Sequence, residues 1–195
     1  MKYVLVGLHA SGKHEVAHLL EQQGISCGRL FSNIENPAGT IYGSFEYELC
    51  GARDIDEVFE NNAYIFIREL KNGNEKYYEG LATKAFDEND VIVLSPDQIV
   101  SISPSMMPHG VCYVWLDNTK VNRFNRYRDE HRSYNFNNRD KEESQDISTF
   151  IKSIYANDNH ILYFVNEDPA RIAAILYTLL IHPELFPMYN KAFNC

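Results

Sequence analysis

Residues 2–14, Lys-Tyr-Val-Leu-Val-Gly-Leu-His-Ala-Ser-Gly-Lys-His, run an apolar strand straight into the spacing G-x-x-x-x-G-K. A chain with this spacing between a strand and a helix commits its first strand-to-helix turn to a cup of backbone N–H groups. Gly7 and Gly12 let the main chain turn tightly, Lys13 is placed to reach the β/γ-phosphates, and the helix starting there aims its positive end at the anion. The residues expected to bind a nucleotide cofactor are therefore Gly7, His9, Ala10, Ser11, Gly12, Lys13 and His14. His14 stands where such loops carry the Ser or Thr whose hydroxyl binds Mg²⁺. Imidazole is a poor ligand for so hard a cation, so the motif argues more firmly for binding than for turnover. Ser11 is the alternative hydroxyl inside the loop, or simply a small residue that a tight turn tolerates.

The same letters spell a rival motif. His14-Glu15-Val16-Ala17-His18 is H-E-x-x-H, which sets two imidazoles one helical turn apart beside a glutamate base, as zinc hydrolases do. Zinc chemistry needs a third ligand, and no later His, Asp or Glu is marked out for it. A helix that directly follows the first strand fits a phosphate loop better.

The longest apolar runs, such as residues 172–181, are too short to span a bilayer, and no charged, signal-like leader precedes the first strand. Cys27, Cys50, Cys112 and Cys195 lack C-x-x-C spacing, and Cys27 and Cys112 lie in apolar runs, which points to reduced thiols and a cytoplasmic protein. A net charge of −9 argues against general nucleic-acid or anionic-membrane binding. It leaves room for a local polyphosphate site, and Lys120, Arg123, Arg126, Arg128 and Arg132 crowd into one stretch.

Strand-like and helical runs alternate, which predicts a single α/β domain over residues 1–195 with a parallel sheet. Strands are expected at 2–6, 25–31, 91–94, 111–116 and 160–165. Helices are expected at 13–23, stopped by Gly24, at 118–130 and at 146–156. A closing helix follows, capped by Asp168, with Pro169 in its first turn and Ile172, Ile175, Leu176 and Leu179 on one face. Aromatic-rich runs at 41–49, 64–70 and 76–82, a short helix near 54–61 and the turn 71–74 predict a small, mainly antiparallel insertion. Residues 133–143 are polar without apolar period and read as a mobile loop. The tail, 182–195, packs back on the body or on a partner, which leaves a homodimer open.

In its order of parts the chain resembles guanylate kinase and the wider nucleoside monophosphate kinase group up to about residue 181. The resemblance rests on the phosphate loop, on Lys76-Tyr77-Tyr78-Glu79-Gly80 beside the family's Tyr-Tyr-Gly turn, and on residues 111–116 with Arg123 and Arg126. The last match is residues 160–168, which end in Val-Asn-Glu-Asp much like the family's Val-Asn-Asp. It implies a P-loop kinase fold: a core over 1–33 and 83–181, a β-rich acceptor-binding insertion over 34–82, an arginine-bearing lid over 123–145 and an extension over 182–195. It implies ATP and Mg²⁺, nucleotide substrates, and transfer of a phosphoryl group to a nucleoside monophosphate. Lys13, Arg123, Arg126 and Arg132 are then the catalytic set, with Arg139 another arginine able to approach. Tyr47, Glu69, Tyr77 and Tyr78 would bind the acceptor, and Asp97 would hold a metal-bound water. Each has a plain structural alternative: a solvated basic helix face, aromatic packing across a small sheet, a helix N-cap. The family's acceptor-gripping arginines are missing from residues 32–39 (Ser-Asn-Ile-Glu-Asn-Pro-Ala-Gly), so a deoxy or modified acceptor is as well matched as GMP. That departure and His14 also fit a module that kept the fold and lost the chemistry. Lys13→Ala is expected to abolish binding with little effect on folding. A bend found opened out, or a cup so filled by a neighbouring side chain that no triphosphate could enter, would remove the kinase reading and leave the architecture.

Overall fold

The computed structural model describes residues 1–34, 47–49, 64–72, 75–129, 135–155 and 160–188. In chain order its elements are β1 (Lys2–Val6), α1 (Lys13–Gln22), β2 (Cys27–Gly28), β3 (Leu30–Ser32), β4 (Tyr47–Leu49), β5 (Tyr64–Asn72) and β6 (Glu75–Ala82). There follow α2 (Thr83–Glu88), β7 (Val91–Leu94), α3 (Pro96–Val100), β8 (Val111–Asp117), α4 (Lys120–Asp129), α5 (Phe136–Tyr155), β9 (His160–Val165) and α6 (Pro169–Ile181). Five strands form a parallel sheet in the order β2-β7-β1-β8-β9. β1 sits at its centre, so the turn leaving β1 emerges at the carboxyl ends of the strands, where open α/β sheets bind ligands.

Alternation along β1 builds two core layers. Tyr3 and Leu5 face one side and pack with Val16 and Leu20 of α1 and Ile172, Leu176 and Leu179 of α6. Val4 and Val6 face the other side and pack with Ile99 of α3 and Phe150 and Ile154 of α5. Burial on both faces is why these strands read as continuous apolar runs. The expected cap of α6 is present: the Asp168 carboxylate accepts from the Arg171 N–H at 3.1 Å. Phe186 is buried in the α1/α6 layer, so the tail packs back on the body as far as it is described.

The structure corrects two expectations. The run at 25–31 is not one strand. Cys27–Gly28 pairs with β7, and the chain then crosses into a second sheet at Leu30–Ser32. A side chain at Gly28 would meet the Ala85 carbonyl at 2.8 Å, so this edge of the sheet admits only glycine. The second sheet, in the order β4-β3-β6-β5, is antiparallel at β3–β6 and β5–β6 but parallel at β3–β4. Residues 133–143 are not a loop throughout, because α5 begins at Phe136, where the Asn135 side chain accepts from the Asn138 N–H at 3.1 Å. Its buried stripe, Phe136, Asp140, Glu143, Phe150 and Ile154, keeps helical spacing, but two members are carboxylates. A search for apolar period therefore passes over its first half. The helix expected near 54–61 and the centre of the turn at 71–74 lie outside the described residues.

Candidate phosphate-binding site

The loop between β1 and α1 is folded as a tight cup. Gly12 has φ +90°, and a Cβ there would lie 2.5 Å from Asn166 Nδ2 and 2.6 Å from Arg126 Nη1, so both the angle and the space demand glycine. Ala10 also holds positive φ, at 56°. Lys13, though 5% exposed, donates to the carbonyls of Gly7 at 2.7 Å and Leu8 at 3.0 Å and so ties the loop to itself. From the far side of the sheet Asn166, fully buried at the end of β9, donates to the Ser11 carbonyl at 2.6 Å. The carbonyl of Asn166 accepts in turn from the Asn118 side chain at 2.9 Å. The loop is thus clamped by the ends of β8 and β9.

The cup holds an anion supplied by the chain. Glu143 of α5, its side chain 3% exposed, accepts from the backbone N–H of His9 at 2.6 Å and lies 3.2 Å from His9 Nδ1. Arg139, one helical turn earlier, donates to its other oxygen at 2.8 Å. Burial opposes ionisation of Glu143, but the His9 hydrogen bond and the charges of Arg139 and Lys13 outweigh it and hold the carboxyl well below its usual range. Burial pushes His9 the other way: its imidazole is lowered and so neutral near pH 7. The edge of its ring meets Phe136 at 4.6 Å between centroids.

Of the arginines expected in the lid, Arg123 and Arg126 lie beside this loop, and both already face a carboxylate. Arg123 is buried, paired with Asp140 at 2.6 Å, and directs a second nitrogen to the His9 carbonyl at 3.5 Å. Arg126 pairs with Glu15 at 2.6 Å beside Gly12. Arg128 pairs with its neighbour Asp129 on the exposed face, the bland alternative for this cluster. Arg132 lies outside the described residues.

A second polar cluster bridges the two sheets. Arg68 of β5 contacts Glu79 of β6 at 2.5 Å and Asp97 of α3 at 2.8 Å, and Gln98 donates to Glu79 at 3.0 Å. Burial alone would lower the Arg68 guanidinium, but the two carboxylates outweigh that and raise it. Asp97 does not cap its helix; Ser95 occupies the N-cap, where its N–H donates to Gln98 Oε1 at 2.8 Å. Tyr77 shares the Arg68/Glu79 face of the hairpin, and its phenol, raised mainly by burial and next by Glu79, also feels Arg139 and Asp97. Tyr78 and Glu69 are cross-strand partners on the opposite face, 3.2 Å apart, with Lys76 on Glu69 at 2.9 Å. Tyr47 opens β4 opposite Leu30, and its side chain is outside the described set.

The structure therefore brings Gly7, His9, Ser11, Gly12, Lys13, Arg123 and Arg126 together. It sets Tyr77 and Asp97 in a separate cluster and puts Tyr78 and Glu69 on the other face of the hairpin. Sequence reasoning missed Glu143, Asp140, Asn166, Arg68 and Glu79 as site residues. For Glu143 and Asp140 the available signal was their place in the helical stripe that continues to Phe150 and Ile154.

For ATP the tight turn and Lys13 suit a phosphate, but Glu143 takes the His9 N–H and Lys13 is bonded to the loop carbonyls, so a nucleotide must displace these contacts. For Mg²⁺ the side chains fit poorly: residue 14 is an imidazole, Ser11 Oγ is 1% exposed inside the turn, and Asp97 is held by Arg68. Among the described residues no group of three or more His, Cys, Asp or Glu side chains is placed to hold a metal ion, so His14 and His18 find no third zinc ligand there.

No protein-family model and no curated protein sequence matches the chain. Among solved structures it is similar to guanylate kinase from Anaplasma phagocytophilum, at 15% identity and a TM-score of 0.50, over 94% of this chain and 85% of that one. It is also similar to a sugar kinase from Janibacter sp. HTCC2649, at 13% identity and a TM-score of 0.38, over 92% and 94%. The second likeness is too distant to carry an argument. The first shows an α/β fold, a parallel sheet core flanked by helices as in kinases, and nothing finer. Among the described residues no helix is long and apolar enough to cross a membrane.

Proposed function

We propose that the chain is a phosphotransferase that binds ATP at the β1–α1 loop and passes a phosphoryl group to a nucleoside monophosphate or a similar acceptor. The observation that carries this reading is the tight β1–α1 loop held around Lys13; the Glu143 carboxylate on the His9 N–H stands against it, and the reading requires a triphosphate to displace that side chain. In the transfer an acceptor oxygen attacks the γ-phosphorus and the bond to the ADP oxygen breaks. Lys13 and the loop amides would hold the donor in line, and Arg126 and Arg139, beside the cup, would neutralise charge spreading over the moving group. Arg123, committed to Asp140, positions α4 and α5 against the loop. The β5–β6 hairpin is the proposed acceptor module, and residues 123–145 the proposed lid. Tyr77 and Arg68, which share one face of the hairpin, and Asp97, which pairs with Arg68, are the side chains we assign to the acceptor in preference to Tyr78 and Glu69. No step is assigned to Mg²⁺, which would depend chiefly on the nucleotide's own phosphates and water.

A second reading, a binding module without chemistry, is favoured by one observation: the cup and every described arginine around it are already satisfied by internal carboxylates. Titrating ATP with and without Mg²⁺, then assaying a panel of monophosphates, separates the two. Product from any acceptor, lost in Arg126→Ala with ATP affinity retained, supports the phosphotransferase. Tight ATP binding with no product from the whole panel supports the module.

A further inference from the structure

We infer that Glu143 is a built-in substitute for a phosphate group, a latch that keeps α5 docked on the loop until a polyphosphate displaces it. The inference rests on the loop being a nucleotide site, and it adds how that site is regulated. A phosphate oxygen in such a cup would accept from a loop N–H and sit within the field of the lysine. Glu143 does both, accepting from His9 N–H at 2.6 Å and feeling Lys13. It also occupies Arg139, whose Nε lies 2.8 Å from its second oxygen. One carboxylate thereby silences the cup and the nearest arginine together.

The helix that carries the latch is built in two unlike halves. Its second half is anchored by Phe150 and Ile154, 1% and 0% exposed in the core. Its first half meets the loop through Glu143 and through Phe136 on the His9 ring, while Asp140 pairs with Arg123 and Lys120 of α4. A polyphosphate brings several negative charges where Glu143 brings one, so Lys13 and the loop favour the exchange. Arg139 leaves the loop with the first turns of α5 and reaches the anion again only when that segment re-docks over it. A singly bound carboxylate thus sets a threshold that a polyphosphate crosses more easily than orthophosphate does.

Calorimetric titration of inorganic tripolyphosphate, orthophosphate and ATP into the wild-type chain, Glu143→Gln and Glu143→Ala tests the latch. Removing the charge is expected to tighten tripolyphosphate, ATP and orthophosphate at least tenfold, each by about the same factor. Equal or weaker binding in both variants overturns the latch while leaving the loop reading intact. Absence of binding to all three chains overturns the loop reading, and the latch with it. Hydrogen exchange on the wild-type chain gives an independent readout should the variants fold poorly. ATP should slow exchange at residues 7–14 and speed it at residues 136–144; slower exchange at 136–144 overturns displacement.

Discussion

At Gly12 a single methyl group decides whether the loop can form. Its positive φ and the atoms of Asn166 and Arg126 at 2.5 and 2.6 Å leave no room for a Cβ, so Gly12→Ala should cost about 1–3 kcal/mol in denaturant unfolding. Lys13 carries two duties that the sequence did not separate. Its expected role is to bind phosphate, but its buried ammonium also joins the carbonyls of Gly7 and Leu8. Lys13→Ala should therefore cost about 1–3 kcal/mol of stability as well as binding, correcting the expectation that folding is spared. The ionisable pair in the cup sets the acid limb of stability. His9 is lowered from 6.5 in the folded chain, so the unfolded chain takes its proton first and stability falls as pH drops below that value. Glu143 is depressed from 4.5, and its contribution, complete above that pH, is lost as pH falls further toward its folded value. Unfolding free energies measured from pH 7 to pH 3 should fall in these two stages, and Glu143→Gln should flatten the lower one.

At the scale of elements, α4 and α5 are joined to each other by ion pairs beside an aromatic seam of Phe136 with Phe124, Tyr127 and His9. Arg123 and Asp140 form the most buried of them, and Arg123→Met should cost about 3 kcal/mol by stranding a carboxylate partly relieved by Lys120. The double change Arg123→Met with Asp140→Leu should recover most of that loss in the same unfolding assay; no recovery would mean that Arg123 acts through its other contact, with the His9 carbonyl. This is also where the sequence was least legible. The strands at 91–94 and 160–165 and the cap at Asp168 were readable because their apolar runs and capping chemistry are local signals. The start of α5 was not, because the face it buries is acidic and its partners, His9 and Arg123, lie far away in sequence. Likewise Glu79, read as an interruption of a tyrosine turn, is a buried partner of Arg68, a pairing fixed only once β5 and β6 align.

At the scale of the whole molecule, the strand order β2-β7-β1-β8-β9 puts the β1–α1 loop at the centre of the sheet, held by Asn166 after β9, which Asn118 after β8 bonds in turn. The alternation of strand and helix predicted that parallel core; the split of residues 25–31 between two sheets was hidden because both halves are equally apolar. If this loop is a nucleotide site closed by the chain's own carboxylate, ATP affinities of the wild-type chain, Glu143→Gln and Lys13→Ala, measured side by side, must differ. Binding should be tightest in Glu143→Gln, measurable in the wild type and at least about hundredfold weaker in Lys13→Ala. Equal affinity in all three chains, or no binding even when Glu143 is neutral, would contradict it.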